Sequence, residues 1–153
     1  PIIQKAFETI GFAKVATSAK EAQAIGYLKK DDQIVVNRDH ILSEAKNEVL
    51  AMADDYTIPE VESFKLPGKS GRLVLEGTLK GFVKSGKISE HDALIGRKLG
   101  NVLTGGEKGG PFTAVDEQYL LDIEREAFIS LAGEQKSIER IEYMLKRGKP
   151  LRN

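Results

Sequence analysis

The chain has no cysteine. Disulfides, thiolate zinc sites and cysteine nucleophiles are therefore excluded together, and the composition fits a reducing, cytoplasmic setting. Histidine is nearly as scarce, with two residues, and they do not stand at metal-ligand spacing. Neither sign of charge is in excess, since 23 basic side chains face 23 acidic ones. No global field is left to draw in nucleic acid or an anionic membrane. No run of 18 apolar residues exists, so no membrane-spanning helix is expected. The N-terminus shows no basic stretch leading into an apolar one, so no signal peptide is expected. The chain opens on Pro1 rather than Met, as a fragment would.

What is present has the profile of a globular protein: 153 residues, 41% hydrophobic and 30% charged. Helical periodicity dominates. Ile2, Ile3, Ala6, Phe7 and Ile10 share one face. Ser18 and Glu21 have capping-box spacing, opening a short helix that Gly26 closes. Asn37 or Asp39 can cap a helix to about Asp54, with Ile41, Leu42, Ala45, Val49, Met52 and Ala53 as its apolar face. Gln33 to Val36 is the one convincing strand. Residues 57–70, with Pro59, Pro67 and Gly68, read as an extended connector.

From Gly71 to Ser85 a helix is expected with Leu75, Leu79, Phe82 and Val83 inward. Ser89 to Asp92 repeats the capping-box spacing, and Leu94, Ile95, Leu99, Val102 and Leu103 form the buried side of the helix it opens. Gly105 and Gly106 end it. Asp116 caps a long helix, and a last one runs from Gln135 to Arg147 before Gly148 and Pro150. The fold class is mainly α, with six or seven helices and at most one short strand.

Few residues point to chemistry. His40 and His91 read as solvated or capping groups near helix starts. The run Gly105 to Gly110 invites comparison with a phosphate-binding loop. It follows a helix rather than a strand, however, and its Lys108 precedes glycine, so a flexible connector is the better reading. The carboxylate pairs Asp31–Asp32, Asp54–Asp55 and Glu124/Glu126 read as solvated turns and faces. The tail carries Lys146, Arg147, Lys149 and Arg152 with no acid. From spacing alone these cations favour a helix C-terminal dipole, and an anchor for an anionic ligand is the sharper alternative.

Lys14–Leu28 (KVATSAKEAQAIGYL) is similar to the short Ser-Ala-x-Glu-Ala helix of the crotonase family, which ends in glycine and leads into a strand. Asp39–Lys46 (DHILSEAK) is similar to the helix that follows. Leu121–Leu131 (LDIEREAFISL) and Met144–Pro150 (MLKRGKP) resemble the two closing helices. The ending Gly148–Asn153 (GKPLRN), with Ser89–Asp92 (SEHD) and Val115–Leu121 (VDEQYLL), resembles multifunctional β-oxidation proteins that place a 3-hydroxyacyl-CoA dehydrogenase part before an enoyl-CoA hydratase part.

That resemblance implies the C-terminal helical region of a crotonase-type enzyme. It divides the chain into crotonase-like helices (1–56), a connector (57–70), middle helices with an inserted helix and glycine-rich loop (71–115) and closing helices (116–153). The implied parent hydrates trans-2-enoyl-CoA and oxidises 3-hydroxyacyl-CoA with NAD. The catalytic glutamates, the oxyanion-loop glycines and the dinucleotide motif of such a parent have no counterpart here. No catalytic residue, metal or cofactor is therefore assigned to this chain. In the family, an apolar or aromatic residue and a lysine of the final helix approach coenzyme A. The matching positions are Met144 and Arg147, with Lys149 adding positive field. The implied partners are acyl-CoA, upstream crotonase and dehydrogenase domains, and further copies in a homo-oligomer. The competing class is a non-enzymatic helical interaction module.

Overall fold

The computed structural model describes residues 2–153. Its elements, in chain order, are α1 (Ile2–Gly11), α2 (Ala19–Ile25), α3 (Ile41–Met52), β1 (Ser63–Lys65), α4 (Gly68–Lys84), α5 (Glu90–Leu103), β2 (Ala114–Asp116), α6 (Glu117–Ala132) and α7 (Gln135–Arg147). Single 3-10 turns, Arg38–His40 and Ala53–Asp55, flank α3. The architecture is mainly α, as the periodicity implies.

The chain forms two compact units. The first holds residues 2–12 and Glu62–Asn153, and the second is Ala13–Val61. α1 belongs to the first unit because it packs on α5. Phe7 is the reason. Its ring is buried with Leu75 and Leu79 of α4, and Ile88, Leu99 and Leu103 close around that cluster.

The α4–α5 contact depends on small residues. Ala93, Gly96 and Gly100 are the buried positions of α5 besides His91, while Leu94, Ile95, Leu99, Val102 and Leu103 are only half-buried. A Cβ at Gly96 would lie 2.6 Å from Leu79 Cδ2. The glycine lets the leucine sit directly against the α5 backbone. The expected leucine-rich face therefore flanks the true contact line instead of forming it.

The capping signals are realised in the structure. Ser89 and Asp92 form a reciprocal capping box, with the Asp92 amide 3.1 Å from Ser89 Oγ and the Ser89 amide 2.9 Å from Asp92 Oδ2. Asp116 accepts the Tyr119 amide at 2.7 Å and starts α6. Gly26 and Gly148 adopt left-handed φ values of 101° and 64° at the ends of α2 and α7.

Within the second unit Ser18 caps α2 through the Glu21 amide at 3.1 Å. The Glu21 carboxylate, however, takes the hydroxyl and amide of Thr17 rather than the Ser18 amide. Those two hydrogen bonds hold Glu21 below the ordinary carboxylate range. Asn37 caps the turn before α3 by accepting the Asp39 amide.

Three expectations are corrected. Residues 33–36 are not a strand, because a strand needs a neighbour to take its amides and carbonyls, and nothing in this unit pairs with them. The strands that do form are β1 and β2, antiparallel, with Phe64 opposite Val115. Each is three residues long, with only its central residue, Phe64 or Val115, turned away from solvent. The apolar face of α3 is not a core face in this chain: Ile41, Leu42, Val49 and Met52 are all exposed.

The third correction concerns the glycine-rich segment, which is packed rather than loose. Thr104 is wholly buried, and its carbonyl accepts the Gly68 amide at 2.9 Å. The Gly109 amide returns to the Gly105 carbonyl at 2.7 Å. Gly68 has a φ of 59°, and a Cβ there would stand 2.3 Å from the Gly109 carbonyl oxygen. Arg72 of α4 hydrogen-bonds Asn101 and pairs with Glu107 at 2.9 Å. On the other side the Lys108 ammonium lies 4.5 Å from the Tyr119 ring centroid. The glycines are there so that the start of α4 and the loop can touch backbone to backbone.

Candidate functional site

The candidate residues lie at the end of α7, so how α7 is seated decides where they point. Its apolar residues do not seat it. Ile138, Ile141 and Leu145 form a stripe along the helix, and all three are exposed, Leu145 at 82%. The adjacent polar stripe docks instead. At 100° per residue, Ser137, Arg140, Met144 and Arg147 fall within one narrow arc of the helix.

The first two members of this stripe bind the start of α5. Ser137 Oγ is 3.1 Å from His91 Nε2, and the His91 ring is buried, only 5% exposed. Arg140 Nη1 donates to Asp92 Oδ1 at 2.7 Å, and Nη2 lies 3.4 Å from Ser89 Oγ. The residues that cap α5 thus also hold α7. Burial of the Asp92 carboxylate opposes its charge. The Ser89 amide, the Arg140 guanidinium and the Ser89 hydroxyl outweigh that effect and hold the group below the ordinary aspartate value.

The tail is held by the same guanidinium. Arg140 Nε donates to Asn153 Oδ1 at 2.8 Å, and Asn153 Nδ2 donates to the Glu139 carboxylate at 2.8 Å. Since Asn153 reaches residues 139 and 140, the chain must reverse at Gly148 and run back along α7. Lys149 therefore stands at the reversal, next to Arg147.

Met144 and Arg147 lie in the last turn of α7 and Lys149 follows its Gly148 cap, all three exposed. Lys146 is engaged with Glu142 at 2.9 Å, an i,i+4 pair on the surface. The last turn of α7 is closed by the Gly148 amide, which donates to the Met144 carbonyl at 2.8 Å. This is a basic, solvent-facing helix end with one apolar thioether beside it. Such a surface can take an anion and an adjacent flat group by charge-assisted hydrogen bonds and van der Waals contact.

Elsewhere the candidates separate. His40 is exposed, as expected, and with Gln33, Val35 and Glu44 it borders a shallow open depression in the second unit. His91 is not the solvated group expected of it but a buried link between α5 and α7. Asp31, Asp32, Asp54, Asp55, Glu124 and Glu126 are exposed. Among the described residues no three acids or histidines converge on a metal site, and no helix is long and apolar enough to cross a membrane. A dinucleotide does not fit the glycine-rich segment either. The two strands are antiparallel rather than a βαβ unit, and the Gly105, Gly106 and Gly109 amides are bonded internally.

Sequence reasoning missed Arg140, Ser137 and Asn153. The spacing of Ser137, Arg140 and Arg147 at i, i+3 and i+10 was a legible signal of a polar docking stripe. The partners on α5 were not legible.

No family model matches the chain, and no solved structure matches it. Over 151 residues, 97% of its length, the chain is 50% identical to a Bacillus subtilis (strain 168) protein named probable 3-hydroxyacyl-CoA dehydrogenase. The match covers 19% of that protein, so the chain spans about a fifth of the curated relative it resembles.

Proposed function

We propose that this chain is the C-terminal helical segment of a larger 3-hydroxyacyl-CoA dehydrogenase. In that parent it would cover the acyl-CoA site, help hold coenzyme A and contribute to assembly. The observation that carries the reading is the 50% identity across nearly the whole chain to a stretch of a protein so named. NAD would be bound by the parent outside these residues. The crotonase-like motifs Lys14–Leu28, Asp39–Lys46 and Leu121–Leu131 support a finer reading, in which the parent also hydrates trans-2-enoyl-CoA. Upstream dehydrogenase and crotonase domains, a homo-oligomeric assembly and a cytoplasmic location belong to the same proposal.

The contact proposed for this chain is between the α7 end and the phosphate-bearing end of coenzyme A. Arg147 supplies a guanidinium suited to bidentate phosphate binding, Lys149 adds charge, and Met144 packs beside them. Hydrogen bonds to charged groups contribute about 1.5–3 kcal/mol. Arg147→Ala in the full-length parent is thus expected to raise the apparent Km for acyl-CoA about tenfold or more. The contact is remote from the reacting carbons, so the loss falls on Km rather than kcat. NADH formation from 3-hydroxyacyl-CoA by the purified parent tests the activity itself. A parent that forms none under saturating substrate and NAD overturns the dehydrogenase reading, and an unchanged Km in Arg147→Ala overturns the coenzyme A contact.

A further inference from the structure

We infer that Arg140 is a positioning residue for the coenzyme A contact, holding α7 at the rotation and reach that present Arg147, Met144 and Lys149 to the ligand. This rests on the coenzyme A reading above. Three observations lead to it. No residue of α7 is buried, so shape packing does little to fix how the helix is turned about its axis. The exposed stripe of Ile138, Ile141 and Leu145 leaves that orientation to polar contacts. Those contacts are few: Ser137 with His91, and Arg140 with Asp92 by a short charge-assisted bond and with Ser89 at longer range.

Arg140 and Arg147 are seven residues apart, nearly two full turns, and so project from almost the same side of the helix. A rotation of α7 that swung Arg140 away from Asp92 would swing Arg147 by the same angle. The guanidinium also sets the tail, since its Nε holds the Asn153 side chain at 2.8 Å and fixes the return path that places Lys149. One side chain therefore couples the capping box of α5 to each of the groups proposed to meet the ligand. Its side chain is only 20% exposed, with Asp92 at 30%, so the pair is partly shielded from solvent and salt.

The test compares acyl-CoA with the corresponding pantetheine thioester, which lacks the phosphate-bearing end, in the full-length parent. Arg140→Met keeps the aliphatic stem and removes the guanidinium. It is expected to raise Km for the acyl-CoA about three- to tenfold while shifting Km for the pantetheine thioester less than twofold. Added to Arg147→Ala it should raise Km by a smaller factor than it does alone, because part of its effect runs through Arg147. Equal losses on the two substrates, or full multiplication in the double variant, would overturn the inference. Should Arg140→Met fail to fold, Asp92→Asn, which keeps an acceptor for the Ser89 amide, is expected to give the same substrate split at about two- to threefold. If Arg147→Ala itself leaves the two Km values in their original ratio, the coenzyme A reading fails and the positioning role fails with it. If Arg147→Ala shifts that ratio but Arg140→Met and Asp92→Asn do not, only the positioning role is lost.

Discussion

Asp92 carries three roles in one carboxylate: it caps α5, pairs with Arg140 and thereby seats α7. Its pH behaviour follows from that. The group titrates lower in the folded chain than in the unfolded one, so between the two values the unfolded chain binds more protons and stability rises with pH. The contribution is complete above the ordinary aspartate value of about 3.9. It is lost as pH falls through the lowered, folded value. Asp92→Asn is therefore expected to lower Tm at pH 7 and to show a shallower loss of Tm below about pH 4 than the parent chain. Thermal melts followed by circular dichroism across pH 2–7 check this, and parallel acid limbs would contradict it. Arg140→Met should also lower Tm at neutral pH, because it leaves the carboxylate partly buried without its cation.

At the scale of elements, the joint between the start of α4 and the glycine-rich loop is the most sequence-sensitive contact outside the apolar cluster. Gly68→Ala would place a methyl group 2.3 Å from the Gly109 carbonyl oxygen and force a non-glycine residue into a φ of 59°. The backbone cost alone is about 1–2 kcal/mol, and main-chain atoms cannot move aside as a flexible side chain would. A Tm loss of at least about 4 °C is expected for a chain of this size. Gly77→Ala is the control with opposite sign. It lies inside α4, exposed, with nothing within 4 Å of the added Cβ. Replacing it should stabilise the helix by about 0.5–1 kcal/mol. Melting temperatures that moved in the same direction for both variants would refute the account.

On the scale of the whole molecule, its exposed apolar surface stands out. Leu42 and Val49 of α3, Leu121, Phe128 and Ile129 of α6, and Leu145 of α7 all face solvent, Phe128 at 72% exposure. Contiguous apolar patches beyond a few hundred Å² mark interaction surfaces on most soluble proteins. The isolated chain is expected to self-associate and to bind a hydrophobic dye. Sedimentation of a strict monomer at high concentration, with no dye fluorescence, would count against this. The chain by itself is also expected to turn over neither crotonyl-CoA nor 3-hydroxybutyryl-CoA above the buffer rate. It brings no convergent acid–base pair to its proposed contact, and catalysis of that kind needs groups within hydrogen-bond reach of the reacting atoms.

Local chemistry determined much of this molecule before any contact was made. Ser18, Ser89 and Asp116 had to begin helices because their side chains accept the free amides of a first turn, and Gly26 and Gly148 had to end them. Helix number, order and approximate bounds followed, and so did the basic end of α7 with Met144, Arg147 and Lys149. Tertiary structure alone decided which faces are covered. Both α3 and α4 carry apolar residues at helical spacing, yet Leu75 and Leu79 found Phe7 across a small-residue stripe while Leu42 and Val49 stay in solvent. Periodicity states that a face is apolar; only a partner at the right distance makes it a core. For the same reason residues 33–36 have strand composition without a strand, and the partner of the buried His91 ring is Ser137, 46 residues later.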